Sequence, residues 1–178
     1  MPGVTRWWRI RAALVDLALA AAWAVLVAAV TLPLYATGSI PGLSPLRALI
    51  AGSALVIVPI IIALGVLEGG RYEASLGKQW LGLRVRRSDG SRLGLGRSLL
   101  RNTVKAGPPW LLGCAALMVW ASAVPPVGTD VWILTATAVL VPLGYLLAAL
   151  SGHGRGPHDV VTDSVVVATT PGRRVAHD

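Results

Sequence analysis

The chain has 178 residues; 54% are hydrophobic and only 13% are charged, against roughly 25% charged in soluble domains. This composition excludes an ordinary water-soluble domain. The formal net charge is +8, but the basic residues flank long apolar runs, so we exclude nucleic acid as a partner. A single cysteine, Cys114, allows no internal disulfide and no zinc site made of thiolates.

The apolar runs predict the fold class, an all-α membrane protein. Runs at about 12–35, 48–67, 106–124 and 131–150 each approach the ~20 residues that a helix needs to cross ~30 Å of hydrocarbon. Apart from Asp16 in the first run, they contain no charged side chain. We expect four transmembrane helices in a single domain, 1–170, followed by a flexible cytoplasmic tail, 171–178.

The basic residues predict the orientation. Arg6, Arg9 and Arg11 precede the first run, and nine of the 16 Lys and Arg residues lie between Arg71 and Lys105. Because positive residues concentrate in cytoplasmic loops, we expect both termini and the loop 68–105 on the cytoplasmic side of the membrane. The same basic residues would contact the anionic lipid head groups of that bilayer.

The loop 68–105 has a local pattern of its own. Apolar and polar residues alternate on both sides of Asp89-Gly90, a strong hairpin turn pair, which predicts strands at 80–87 and 91–95. Arg97, Arg101 and Lys105 then recur every four residues, as on a helix at the membrane surface or at the entry to the third span. The segment SVVVATT, 164–170, is expected to add a third strand.

The pair Gly77-Lys78 resembles part of a phosphate-binding loop. Such a loop needs a glycine where the chain has Tyr72 and a serine or threonine where it has Gln79. The motif fails at both positions. Lys78 and Arg84 are therefore interpreted as parts of a basic connector, and no cofactor is expected.

Asp16 is the acid inside the first predicted span, seven residues or about two helical turns beyond Arg9. A charge at a helix centre costs about 2.5–3.5 kcal/mol on insertion scales, so Asp16 should have a partner. The candidates are Arg9, Arg11, Arg101 and Lys105. Two roles for Asp16 remain open, proton or cation handling and a structural ion pair.

The segment after the fourth run supplies His153, His158, Asp159 and Asp163. Their spacing matches no standard metal motif, so no metal site is predicted. Asp159 is expected to accept hydrogen bonds or to pair with a loop arginine. No Gly-x-Ser-x-Gly elbow and no His-Glu-x-x-His occurs in the chain, and we do not expect an enzyme.

Three motifs together resemble those of the RDD family of bacterial membrane proteins. RIRAALVD, 9–16, fits the family's Arg-x-x-Ala-x-x-x-Asp, and SLGKQWLGLRV, 75–85, fits its Ser-Leu-Gly-Lys-x-x-x-Gly-Leu-Arg-Val. A downstream Asp-Gly and LLRN, 99–102, follow as in the family. HDVVTDSVVV, 158–167, fits the closing His-Asp and valine strand, with Asp163-Ser164 in place of the usual Gly-Thr. The resemblance covers about 6–168.

The resemblance implies the site residues and two functions. The residues corresponding to the family's Arg-Asp-Asp and to its basic loop are Arg9, Asp16 and Asp159, with Lys78, Arg84 and Arg101. Some members are associated with exchange of Na⁺ or Li⁺ for H⁺, which would make Asp16 the titrating carboxylate. Others resemble non-catalytic accessory or scaffold subunits of larger membrane complexes. A homo-oligomer or another membrane protein is the expected partner, since the small residues in ALAAAWA and AGSA permit close helix contacts.

Overall fold

The computed structural model describes residues 6–39, 44–123, 127–150 and 155–169. These residues form six helices and two strands. In chain order they are α1 Arg6–Ala36, α2 Pro45–Gly69, α3 Leu76–Trp80, β1 Leu83–Arg87, α4 Leu95–Ser122, α5 Thr129–Leu150, α6 Pro157–Val161 and β2 Ser164–Ala168. The predicted tail 171–178 and His153 lie outside the described residues.

Three of the helices are long and apolar enough to cross a membrane: Trp7–Ala36, Leu46–Gly69 and Leu95–Ser122. Their outward faces carry large apolar side chains such as Leu17, Val25 and Leu111, each more than 60% exposed. A soluble protein would bury such side chains, whereas lipid solvates them. The membrane character is therefore confirmed. In α5, residues 129–145 form a shorter apolar helix by the same criterion, so a fourth crossing stays a prediction.

The observed helices are longer than the predicted spans. The cationic segment 97–105 was expected to be either a surface helix or the entry to the third span. It is the start of that span's own helix, since one continuous helix, α4, runs through Pro108 and Pro109. The charged residues of its first turns conceal this continuity in a hydropathy pattern. Arg101 and Asn102 in this segment are buried in the protein, so the expected stripe of surface cations is wrong at Arg101.

The predicted hairpin is wrong in its second strand, 91–95, whereas the expected addition of the segment 164–170 to this sheet is confirmed. β1 pairs antiparallel with β2, from Leu83 opposite Ala168 to Arg87 opposite Ser164, and residues 91–95 contribute only an isolated bridge between Arg92 and Arg86. The turn at 88–90 does form, with the Gly90 N–H donating to the Arg87 carbonyl at 2.9 Å. α4 begins at Leu95, too soon for a second strand to develop. The expected strand at the end of the chain is confirmed as β2.

The helices pack in a row, with α2 against α4 and α4 against α5, while α1 contacts α2 and α3. The best-buried part lies where the short elements gather at one end of this row. Among the described residues, eight hydrophobic side chains are buried against eleven polar or charged ones. Apolar packing alone therefore does not account for how this end is held together.

The short helix α3 packs directly on α1 at Gly77. A Cβ atom built on Gly77 would collide with the backbone carbonyl oxygen of Ala12 and would lie 3.0 Å from Oδ1 of Asp16. Ala12 itself is 1% exposed. Only a residue without a side chain allows this approach of the two backbones.

We expect Gly77→Ala to destabilise the protein by about 1–3 kcal/mol, because overpacking a close contact moves α3 away from α1. Gly96→Ala is the matched control, since a Cβ atom there would meet nothing within 4 Å. The measurement is the free energy of unfolding in detergent. Equal stability of the two variants would show that the α1–α3 contact tolerates a methyl group.

Candidate functional site

Asp16 holds the start of α3 against α1. Its Oδ2 accepts a hydrogen bond from Ser75 Oγ at 2.5 Å, and its Oδ1 accepts one from the Gly77 backbone N–H at 2.9 Å. Among the described residues, Asp16 has no ion-pair partner within 4.0 Å, so none of the four proposed basic partners forms a direct ion pair with it, although Lys105 lies close enough to interact electrostatically. The backbone N–H of Gly77, which a phosphate loop would offer to its ligand, binds this carboxylate instead.

Arg101 lies at the centre of a buried ion-pair cluster. Its Nε and Nη2 donate to Asp159 Oδ1 at 2.9 and 2.6 Å, and its Nη1 donates to Glu68 Oε2 at 2.6 Å. Arg101 is 2% exposed, and each carboxylate is 1% exposed. One guanidinium from α4 therefore bridges an acid at the end of α2 and an acid in α6. We call Arg101, Glu68, Asp159, Lys78 and Arg9 the Arg101 cluster.

Glu68 has two further partners. Lys78 of α3 forms a buried ion pair with Glu68 Oε1, and Asn102 Nδ2 donates to Glu68 Oε2 at 3.0 Å. Lys78, the lysine of the Gly-Lys pair, therefore neutralises Glu68, the acid at the end of the apolar helix α2. Charged groups at this depth are expected to be paired in this way, because an unpaired buried charge is costly.

Asp159 receives its other contacts from α1, α6 and β2. Arg9 Nη2 lies 3.6 Å from Asp159 Oδ2, Ser164 Oγ donates to Asp159 Oδ1 at 3.0 Å, and the Gly156 backbone N–H donates to Asp159 Oδ2 at 3.2 Å. Burial by itself would raise the pKa of this carboxyl, but the charge of Arg101 and the hydrogen bonds lower it to about 2. Asp159 is therefore ionised at neutral pH.

His158 borders the cluster without being charged. Its ring stacks on Tyr145 at 6.1 Å between centroids, and its Nδ1 has no hydrogen-bond partner among the described residues. Burial and then the charge of Arg101 lower the pKa of His158 to about 3, against the opposing effect of Asp159. The imidazole is neutral at neutral pH.

The family model that matches this chain is that of the RDD family, and the match covers residues 4–163. The chain belongs to the RDD family. No curated protein and no solved structure matches it significantly.

The residues of the RDD motifs form two separate sets of contacts. Arg9 and Asp159 form one ion pair of the Arg101 cluster, while Asp16 binds the start of α3. Lys78 joins the cluster through Glu68. Arg84 does not join it, since it lies exposed in β1 opposite Val167.

A second ion-pair group lies near the sheet. Glu73, which is 2% exposed, pairs with Arg86 and Arg92 at 2.8 Å each. Its backbone adopts a left-handed φ of 54°, which a non-glycine residue rarely takes. The sequence did not lead us to predict contacts for Glu68, Glu73 and Asn102. Glu68 could have been found, because it directly follows a long run without charges.

The departure from the family pattern at Asp163 has a structural explanation. Its φ is 51°, the left-handed region that glycine adopts freely and that aspartate tolerates better than most residues. The side chain contacts Arg155 Nη2 at 2.9 Å and accepts from Ser88 Oγ at 2.5 Å, and these hydrogen bonds lower the pKa of its carboxyl. The aspartate therefore keeps the turn and adds a link between α6, the β1 turn and Arg155.

The arrangement of the Arg101 cluster differs from that of a metal site. No group of three metal-binding side chains occurs among the described residues, and Glu68 and Asp159 are occupied by internal cations. The arrangement is suited to holding elements together: it links α1, α2, α3, α4, α6 and β2 at one end of the helix row.

Replacing Arg101 tests this role. We expect Arg101→Met to lower the free energy of unfolding by about 3–5 kcal/mol, because Glu68 and Asp159 stay buried without their shared partner. Arg97→Met, one helical turn earlier and exposed, should change stability by no more than about 0.5 kcal/mol. Denaturation of the purified proteins in mixed micelles measures both, and similar losses would contradict a special role of Arg101.

The neutral state of His158 makes stability depend on pH. The unfolded chain binds a proton at histidine near pH 6.5, whereas folded His158 binds one only near pH 3. The free energy of unfolding should therefore fall as pH drops below about 6.5, by up to about 1.4 kcal/mol per pH unit. Unfolding between pH 7 and 5 should show a smaller slope for His158→Gln than for the native chain, and equal slopes would rule out this contribution.

Proposed function

We propose that this RDD protein spans a bacterial cell membrane four times with both termini cytoplasmic and acts as a non-catalytic accessory subunit that holds another membrane protein. The exposed basic residues Arg71, Arg84 and Arg97 lie at the same end as the Arg101 cluster, which supports a cytoplasmic location for that end. The apolar α5 packs along α4, which supports a fourth crossing.

The observation that carries the accessory role is an open groove between α1, α2 and α4. Its volume is about 680 Å³, and its lining is almost wholly apolar. Small residues form much of this lining, namely Ala24, Ala28, Ala51, Gly52, Gly113 and Cys114. A Cβ atom built on Gly52 or Gly113 would meet nothing within 4 Å. Membrane helices associate closely at small residues of this kind.

Trp110 adds a polar feature to the groove. It belongs to the lining, and its indole N–H is buried without a hydrogen-bond acceptor among the described residues. An unpaired buried donor is costly in apolar surroundings. This donor lies beneath the surface of the groove, so what the groove offers a partner is its shape and its small residues.

Cation/proton exchange is the second candidate, and one observation favours it: Asp16 is half-buried and lines a cavity at membrane depth. Two of its acceptor positions are already used by Ser75 and Gly77, and Asp159, the other acid of the family's Arg-Asp-Asp, is bound to Arg101 and Arg9. Apart from Asp16, Arg47 and Asp130, the charged residues of the described long helices gather at one end. These contacts favour the accessory role over exchange.

Filling the groove tests the accessory role. We expect a membrane protein to co-purify at fixed stoichiometry with the native chain and with Gly144→Leu, whose added side chain lies on the exposed surface of α5. Gly113→Leu should abolish that association because its side chain occupies the groove. Loss of self-association instead would identify the partner as a second copy. Association that survives Gly113→Leu would contradict docking at this groove.

Proteoliposomes test the exchange role. We expect no proton flux on addition of Na⁺ or Li⁺ to vesicles that contain only the purified protein. Flux that appears in the native protein and disappears in a folded Asp16→Asn variant would contradict the accessory role and establish a carboxylate-dependent exchanger.

A further inference from the structure

A second cavity, separate from the groove of the proposed partner, lies between α1, α2 and α3. Its volume is about 290 Å³, near the lower limit for sites that bind small ligands. Its wall is formed by Leu19, Ala20, Ile60, Ala63, Leu64 and other apolar residues, together with Asp16 and Trp23. Asp16 is the one charged side chain among the described residues of this wall.

The carboxylate of Asp16 retains capacity to bind a cation. It accepts one hydrogen bond at each oxygen, from Ser75 and from Gly77, while an ionised carboxylate offers about four acceptor positions. Lys78 donates to Ser75 Oγ at 3.3 Å, and Lys105 interacts electrostatically with Asp16. Neither lysine belongs to the described cavity wall, so the carboxylate is the group of opposite charge that a cationic ligand in the cavity would meet.

Trp23 is held in the wall by the backbone of α2. Pro59 has no N–H to donate to the carbonyl of Leu55, four residues earlier. The Trp23 indole N–H donates to that carbonyl at 3.2 Å instead. Trp23 lies seven residues, about two turns, beyond Asp16 on the same face of α1. The indole therefore has a fixed position, and its ring is available to a ligand.

These features select the class of ligand. A hard metal cation needs several oxygen ligands, and the described wall offers only those of Asp16. An ammonium group attached to hydrocarbon needs one negative charge, an aromatic ring and apolar surface. We propose that this cavity binds the ammonium group of a lipophilic amine, with Asp16 pairing with the charge, Trp23 supplying the ring, and the apolar wall covering the hydrocarbon.

This site goes beyond the proposed accessory role and does not depend on it. The ammonium group has two sources, a free lipophilic cation and the amine of a phospholipid in the surrounding leaflet. Either source would place an ammonium group in the cavity. The choice of bilayer in the experiment distinguishes them.

The probe is radiolabelled dodecyltrimethylammonium, added to the full chain in nanodiscs of phosphatidylglycerol and diglucosyldiacylglycerol, which contain no amine. We expect one saturable component above the partition into protein-free nanodiscs. Asp16→Asn should weaken it by about tenfold or more, and Trp23→Leu by roughly fivefold. Asp130→Asn is the matched control, because it removes one exposed acid at the start of α5 and should leave the affinity unchanged.

Ala63→Leu keeps the test independent of the contact between Asp16 and α3. Ala63 belongs to the cavity wall, so the larger side chain occupies the cavity while Asp16 stays in place. We expect this variant to lose the saturable component. Unfolding midpoints establish that each variant is folded. Equal binding by the native chain, Asp16→Asn and Ala63→Leu would overturn the proposal, as would the absence of a saturable component in the native chain.

Replacing the glycolipid with phosphatidylethanolamine, at a constant fraction of phosphatidylglycerol, identifies the source. A lower apparent affinity for the probe, seen in the native chain, would show that a lipid amine competes for the cavity. An unchanged affinity, with Asp16→Asn still impaired, would assign the site to free lipophilic cations.

Discussion

The ion pairs of Arg101 with Glu68 and Asp159 are the interaction on which the rest of this structure depends. They connect the end of α2, the start of α4 and α6 through one guanidinium that is 2% exposed. Lys78 brings α3 to the same acids, and Arg9 brings α1. Arg101, Glu68, Asp159 and Lys78 are buried and Arg9 is half-buried. Their charges therefore need partners, and the elements that carry them must meet.

The two ends of the helix row differ in chemistry as a result. At the Arg101 end, internal partners satisfy the acids and the short elements close over them. Away from that end, the helices remain apolar, with a groove between α1, α2 and α4. A smaller cavity begins beside Asp16, next to the Arg101 end, and continues along α1 to Trp23. A chain that is fixed at one end and open along its apolar faces is suited to binding other molecules within the bilayer, a partner helix in one place and a lipophilic amine in the other.

The sequence was informative about single elements and much less so about their contacts. The apolar runs located the long helices, and the valine run located β2, because both patterns follow from local burial. The expected addition of the segment 164–170 to the sheet is confirmed, since β1 pairs with β2 about 80 residues later. The local strand predicted at 91–95 does not form and contributes only an isolated bridge. Arg9 and Asp159 were singled out, but Glu68, which joins Arg101 to Lys78, was missed. Four cations were candidates for pairing with Asp16, but its direct hydrogen-bond donors are a hydroxyl and a backbone N–H.

A double-mutant cycle between Arg101 and Asp159 tests the central claim most directly. The free energies of unfolding would be compared for the native chain, Arg101→Met, Asp159→Asn and the double variant. If the pair neutralises a buried charge, the double variant should lose less stability than the sum of the single losses, with a coupling of about 0.5–3 kcal/mol. Additive losses would contradict the account, because they would mean that the two side chains stabilise the protein independently.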